Sequence, residues 1–346
     1  MSKILIISPS GNFYGSEQVL FDYLSCSPAS VEVMVPKDSI FENKLKTLLP
    51  PKQIGTFKTS GLLKLYTKLF FSLTAGKYES IYLNEAGHIK YILLLSRLFS
   101  RKRFVVHVRI SEDTDKKRWL MEPGKNVLVL AISENIKQQL PYSSRLIYDP
   151  FIFNASAEME AVYVSNSIFK IAIIGRITHT KGVKRLVAIL DRLQQMGLSG
   201  QYHFFLFGDL SEDAVKEDWF ASLQQHTAVT MAGFRDKKEI YEMADAVMHL
   251  STQEPLGRIF LEAINDELPF IGINAAGIGE IGKLTGLEEL LADPQSSDLT
   301  GELIIRMENV KNNYTHYWQQ VKEQKNIAKN VFDIRKYCEA IDMLLT

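Results

Sequence analysis

Short, almost wholly apolar runs recur along this chain, and each is followed by a stretch with helical spacing. In the first half they are KILIIS (3–8), VEVMVP (31–36), SIYLNE (80–85), RFVVHVR (103–109), NVLVLAIS (126–133) and RLIYDP (145–150). Strands this apolar need cover on both faces, and intervening helices supply it. Residues 16–26 and HIKYILLLSRLF (88–99) carry that helical period, and a further helix is predicted at 134–140. After the polar, aperiodic stretch 154–167, read as a linker, the pattern restarts. FKIAIIGR (169–176), YHFFLFGD (202–209), AVTMAG (228–233), AVMHLS (246–251) and LPFIGIN (268–274) are the second set of strands. Helices are predicted at 182–196, near 212–225, at 236–244, after AVMHLS, from about 279, and through most of 302–345. In 346 residues this implies an α/β chain of two Rossmann-like domains, 1–153 and 168–330. Their parallel sheets are expected to face a central cleft, with ligands at the carboxyl ends of the strands.

Composition narrows the function classes. Forty Lys and Arg balance forty Asp and Glu, which argues against a dedicated nucleic-acid binder. Cys26 and Cys338 are far apart in sequence and fit neither a disulfide framework nor a metal spacing, so a reducing cytoplasm is expected. MSKILIIS enters a strand directly, without the longer apolar stretch of a signal peptide. No apolar run reaches the ~18 residues needed to span a bilayer.

Loops at strand ends carry the chemistry in this architecture. After the first strand, Gly11 and Gly15 precede a helix opened by Ser16 and Glu17, where backbone N–H groups could meet an anion. In GRITHTKG (175–182), Arg176 and Lys181 flank a tight loop that starts at Gly175 and opens a helix. Two fixed cations beside a helix start suit a diphosphate, although the GxxxxGK[ST] order of the P-loop is absent. In STQEPLGRIFLEAI (251–264), Glu254 and Glu262 are separated by seven residues. Pro255 can start a helix, and Gly257 lets a ligand approach the backbone. Helix-start N–H groups around Leu256, Gly257, Arg258 and Ile259 are then available, with Glu262 two turns in. Such a site suits an elongated ligand with hydroxyls at both ends and negative charge in the middle, as in a nucleotide sugar. His107, near the end of the fourth strand, is either a core histidine or a residue facing the cleft. GIGEIG (277–282) matches a dinucleotide fingerprint, and DTD (113–115) could be read as a metal-binding acid pair.

Taken together, GRITHTKG, the FGD of 207–209, the AGF of 232–234, EPLGRIFLE and GIGE resemble the retaining glycosyltransferases of family four, which have the GT-B fold and a paired-glutamate signature. YGSEQVL, VVHVR and AISE extend the likeness into the first half. The resemblance implies that Arg176 and Lys181 bind the diphosphate, Glu262 the ribose, and Glu254 the donor sugar. It implies backbone contacts from Leu256 and Gly257, a base lined by Phe234, and His107 against the transferred sugar. It also implies metal-independent, cofactor-free transfer from a nucleotide-diphosphate sugar to a saccharide or lipid-linked saccharide, in surface polysaccharide or lipopolysaccharide synthesis. A last helix near 331–346 would return to the first domain. The chain departs from the pattern at Tyr14-Gly15, where paired glycines are commoner, at Leu256 in place of glycine, and at Asp149 in place of asparagine.

Two stretches, 58–78 and 90–104, combine apolar residues with Lys64, Lys68, Arg97 and Arg101. They read as ordinary sheet-covering helices or as a weak contact with anionic lipid at the inner face of the cytoplasmic membrane. The alternative activities are a nucleotide-sugar epimerase on the same fold and a nicotinamide oxidoreductase built on GIGEIG.

Overall fold

A computed structural model describes residues 4–27, 31–155 and 168–346. Most of the linker expected at 154–167 lies outside the described residues. The chain forms two compact units, Met1–Ile152 with Phe332–Thr346, and Phe153–Val331.

In unit 1, β1 (Ile4–Ile7), α1 (Gly15–Cys26), β2 (Val31–Pro36), α2 (Ile40–Leu45), β3 (Ile54–Phe57) and α3 (Leu62–Thr74) come first. They are followed by β4 (Ser80–Leu83), α4 (Ile89–Leu98), β5 (Arg103–Val108), β6 (Val127–Ala131), α5 (Glu134–Gln139) and β7 (Arg145–Leu146). All seven strands are parallel, in the order β3-β2-β1-β4-β5-β6-β7. The central β1 and β4 are buried throughout, which is why their sequences are uninterrupted apolar runs. The edge strand β3, IGTF, is half-exposed and lacks such a run, so the sequence pattern does not reveal it. RLIYDP forms strand only at its first two residues.

Unit 2 holds β8 (Phe169–Ile174), α6 (Arg185–Gln195), β9 (Tyr202–Phe207), α7 (Glu212–Val215), α8 (Asp218–Gln225), β10 (Val229–Gly233) and α9 (Lys237–Met243). Then come β11 (Ala246–Met248), α10 (Arg258–Asn265), β12 (Phe270–Ile273), α11 (Ala276–Thr285), β13 (Leu291–Ala292), α12 (Leu299–Asn312) and α13 (Tyr314–Val331). Its parallel order is β10-β9-β8-β11-β12-β13. The helix expected near 212–225 is two, because the chain turns at Lys216 and Glu217.

The last helix, α14 (Ile334–Leu345), belongs to unit 1. Tyr337, Ile341 and Leu345 enter the same apolar cluster as Val19, Leu20 and Val33. Tyr23 Oη donates to Asp342 Oδ1 at 2.5 Å, and Ser27 Oγ donates to it at 2.9 Å. The two cysteines, remote in sequence, are neighbours here. Burial raises the Cys338 thiol to about 12, the Cys26 thiol beside it adds to the rise, and both are free.

Candidate active site

The strand order of unit 2 reverses between β8 and β11, and in an open parallel sheet the crevice outside such a switch point takes the ligand. The loops leaving these two strands form one stitched structure. Ser251 Oγ donates to Thr180 O at 3.0 Å, and Arg185 Nη1 donates to Leu250 O at 2.9 Å. Gly182 sits at φ +71° against the chain at Leu250, where a Cβ would fall 2.0 Å from the carbonyl oxygen. Beside them, β8 and β9 both run into glycine. Gly175 N donates to Phe207 O at 2.9 Å, and Gly208 at φ +132° leaves no room for a Cβ against Gly175 O.

The charged groups converge on this stitched loop. Lys181 closes a short 3₁₀ turn, His179–Lys181, whose cap is the Thr178 hydroxyl, and its Nζ lies 2.6 Å from Glu254 Oε2. The His249 imidazole, 4% exposed, places Nε2 3.3 Å from the same oxygen. Burial pushes the Glu254 carboxyl up, but the imidazole and the ammonium outweigh it and hold it at about 2. Glu254 is therefore an anion at neutral pH. Arg176, one residue beyond Gly175, is exposed and its side chain has no partner among the described residues.

The glutamate loop is fixed through its backbone. Gly277 N donates to Glu254 O at 2.9 Å. Gly257, at φ +87°, caps α10, and a Cβ there would meet Ile278 Cδ1 at 2.5 Å. The helix thus starts at Arg258, three residues after Pro255, and Glu262 stands about one turn in rather than two. Leu256 is 3% exposed, so its side chain packs inward. Glu262 Oε1 lies 2.6 Å from Lys237 Nζ, and Tyr241 Oη donates to its Oε2 at 2.9 Å. Phe234 follows β10 and is 81% exposed, an uncovered aromatic face.

His249, Lys237 and Tyr241 escape the sequence reading. Lys237 and Tyr241 are four apart on α9 and so share a face, a signal that was available. The link from His249 to Glu254 depends on how the intervening loop closes, and no spacing rule encodes it.

Two expected site residues belong to unit 1. Gly15 is the first residue of α1, where Glu17 Oε2 already accepts the Tyr14 N–H at 3.0 Å. His107 does not line an open surface. It is wholly buried on β5, with Nδ1 2.9 Å from Tyr82 Oη and 3.1 Å from Arg109 Nη2. Burial and the Arg109 guanidinium hold the imidazole well below its ordinary value, so it stays neutral. Arg109 also donates to Asn84 O at 2.9 Å and to Tyr337 Oη at 3.1 Å, and it pairs with Asp149. That pairing gives the carboxylate at 149 its purpose, since an amide would leave a buried guanidinium without a counter-charge.

The rival motifs take structural roles. GIGEIG lies inside α11, not in a turn before it, and Gly277 and Gly282 allow close packing against Leu256 and Leu291. Asp113 is buried and bonds Arg118 at 2.6 Å, while Asp115 caps a turn at Lys117 N. Among the described residues no group of three His, Cys, Asp or Glu side chains is arranged to hold a metal.

Residues 162–329, just under half of the chain, match the family described as Glycosyl transferases group 1. No curated protein matches the sequence significantly. Among solved structures, Anabaena Alr3699/HepE in complex with UDP-glucose superposes with a TM-score of 0.77 at 21% identity, over 100% of this chain and 99% of that one. The lipopolysaccharide outer core galactosyltransferase WaaB superposes at 0.72 with 17% identity, over 99% of both chains. WaaG, a glycosyltransferase involved in lipopolysaccharide biosynthesis, superposes at 0.64 with 13% identity, again over 99% of both. At these identities the likeness establishes the fold. Residues 162–329 are thus similar to the glycosyl transferases group 1 family, within a chain that shares the GT-B fold of these solved structures.

Proposed function

We propose that this protein is a retaining glycosyltransferase that needs no metal. It moves a sugar from a nucleotide-diphosphate sugar to a saccharide or lipid-linked saccharide, in surface polysaccharide or lipopolysaccharide synthesis. The observation that carries the reading is the Lys181–Glu254 pair at the switch point of unit 2, on the loop that leaves β8 through Gly175 and the exposed Arg176. Unit 2 takes the donor, and unit 1 takes the acceptor. HepE in complex with UDP-glucose, and WaaB and WaaG by their names, support the substrate class.

In this reading the diphosphate lies along Gly175, Arg176 and Lys181. Each charge-assisted hydrogen bond is worth about 1.5–3 kcal/mol, and the bonds strengthen as the sugar–phosphate bond breaks and charge grows on the leaving oxygen. Two cations placed in advance supply the neutralisation for which other enzymes of this chemistry recruit a divalent ion. Glu254 is ionised, so it accepts hydrogen bonds from donor-sugar hydroxyls and donates none. Glu262 accepts the ribose hydroxyls, Phe234 borders the base, and the chain at Leu256, Gly257 and Arg258 follows the phosphates. Attack on the face from which the nucleotide departs keeps the anomeric configuration.

A peripheral location at the inner face of the cytoplasmic membrane suits a lipid-linked acceptor. On α3, Leu63 and Phe71 are 77% and 64% exposed beside Lys64 and Lys68. Leu98 of α4 is 67% exposed near Arg97 and Arg101. Among the described residues no helix is long and apolar enough to cross a membrane.

The test is a thermal-shift panel of nucleotide diphosphates and nucleotide sugars, with and without EDTA. A ligand that binds only the folded state raises apparent stability. The expected result is a shift with one nucleotide class, unaffected by EDTA and lost in Arg176→Ala. Silence across the panel overturns the reading.

A further inference from the structure

We propose that His249 is a positioning residue for Glu254, holding its carboxylate toward the donor sugar once Lys181 has turned to the diphosphate. The inference rests on the glycosyltransferase reading and adds a residue to its machinery.

The geometry around Glu254 divides the carboxylate into two ends. Oε2 takes both cationic or polar neighbours, Lys181 Nζ at 2.6 Å and His249 Nε2 at 3.3 Å. Oε1 has no hydrogen-bond partner among the described residues and is the end free to accept from a ligand. The two neighbours of Oε2 are not equivalent. The Lys181 side chain is 36% exposed and rides on a long flexible stem, whereas His249 is 4% exposed. His249 is also anchored through its backbone, for its N–H donates to Ile271 O at 2.9 Å and extends the β11–β12 ladder past Met248.

A diphosphate at Arg176 and Lys181 competes with Glu254 for the ammonium, because two negative centres then share one cation. Glu254 is mostly buried, and losing its ammonium would leave a desolvated carboxylate with His249 as its fixed polar neighbour. His249 Nε2 is itself enclosed and lacks a well-directed hydrogen bond in this state. A small rotation of the carboxylate aligns the two groups and satisfies both. The imidazole then keeps Oε2 directed inward and Oε1 outward while the lysine serves the phosphates. Buried beside Glu254, His249 acts through that carboxylate, so its effect falls on the sugar end of the donor alone.

The experiment measures binding and turnover for wild type, His249→Leu and His249→Gln. The probes are UDP, GDP and ADP and their sugars, with the pair that binds wild type carried forward. Gln places an amide N–H near the position of Nε2, while Leu fills the space without a donor. The expected result has three parts. His249→Leu binds the nucleotide diphosphate as wild type does. It loses about tenfold of the additional affinity conferred by the sugar, and of kcat. His249→Gln recovers most of both. Equal losses for the diphosphate and its sugar conjugate, with no recovery in His249→Gln, would show a packing role only and overturn the proposal. So would a His249→Leu protein indistinguishable from wild type. If wild type binds none of the nucleotides, the glycosyltransferase reading itself falls, an outcome separate from either of these.

Discussion

The two units share a strand order around their switch points, β2-β1-β4 in one and β9-β8-β11 in the other, yet they furnish the two crevices in opposite ways. At the β1/β4 switch most of the polar groups answer one another, Glu17 Oε1 being the exception. Ser16 Oγ donates to Glu85 Oε1 at 2.5 Å, and Glu17 is 1% exposed and caps α1. Burial raises the Glu85 carboxyl. The nearby cation, Arg109, is 4% exposed and fully engaged by Asn84, Asp149, Tyr82 and Tyr337. At the β8/β11 switch, Arg176 projects without a partner, and the Lys181–Glu254 pair is open enough for a ligand to share it. One backbone plan thus offers a crevice twice. Whether the charges there hold the fold or await a ligand depends on how far the protein itself has satisfied them.

The largest effect is expected at Arg109. Arg109→Met strands Asp149 in the interior, and breaking a buried pair on one side costs about 3–5 kcal/mol. Urea denaturation reads this directly, and a loss below about 1 kcal/mol would remove the structural half of the contrast.

Glu254 comes next, through pH. Its carboxyl sits at about 2 in the folded protein, below the ordinary value of 4.5. The resulting stability is present in full above pH 4.5 and disappears as pH falls through 2. Its size is up to about 3 kcal/mol. Acid unfolding of wild type should therefore contain a component absent from Glu254→Gln, and coincident curves would mean that Lys181 and His249 do not hold the carboxylate.

Arg176→Ala should behave in the reverse manner to Arg109→Met. Stability stays within about 0.5 kcal/mol, as for an exposed side chain. Donor-dependent turnover falls roughly ten- to hundredfold, the value of one charge-assisted contact. A stability loss with unchanged turnover would place Arg176 on the structural side.

The smallest effect is expected for Tyr241→Phe, which removes one hydrogen bond to Glu262. A net loss of about 0.5–1.5 kcal/mol should appear as a several-fold rise in donor KM with kcat unchanged. A fall in kcat alone would move Glu262 away from the ribose.

Much of this architecture was legible in the sequence, for a physical reason. Buried parallel strands must be apolar throughout, so β1, β2, β4, β5, β8 and β9 announce themselves. The edge strand β3 and the short helix α2 do not, because half-exposed elements tolerate mixed sequence. The loop from Glu254 to Arg258 was read one step wrong. Pro255 can open a helix, but the left-handed turn at Gly257 delays the start to Arg258, and this brings Glu262 one turn nearer the helix start. His107 stands late in a strand, as a residue lining a site would, but it is wholly buried against Tyr82 of the same sheet and Arg109 just beyond β5, and Arg109 in turn meets Tyr337 from the far end of the chain. His249 sits in an apolar run with nothing in its spacing to mark it. Side chains that meet through loop closure leave no period behind.

The membership of α14 in unit 1 also has a consequence for synthesis. The sheet of unit 1 emerges from the ribosome early, but Tyr337, Ile341 and Leu345 arrive only after all of unit 2 has been made. At typical elongation rates of about 5–20 residues per second, that wait lasts on the order of ten seconds or more. Until then Arg109 lacks one of its acceptors, and the apolar floor that α14 will cover stays wet. Unit 2 can close first although its residues come second. The nascent first half must stay unaggregated, by its own residual structure or with a chaperone, until the end of the chain reaches it.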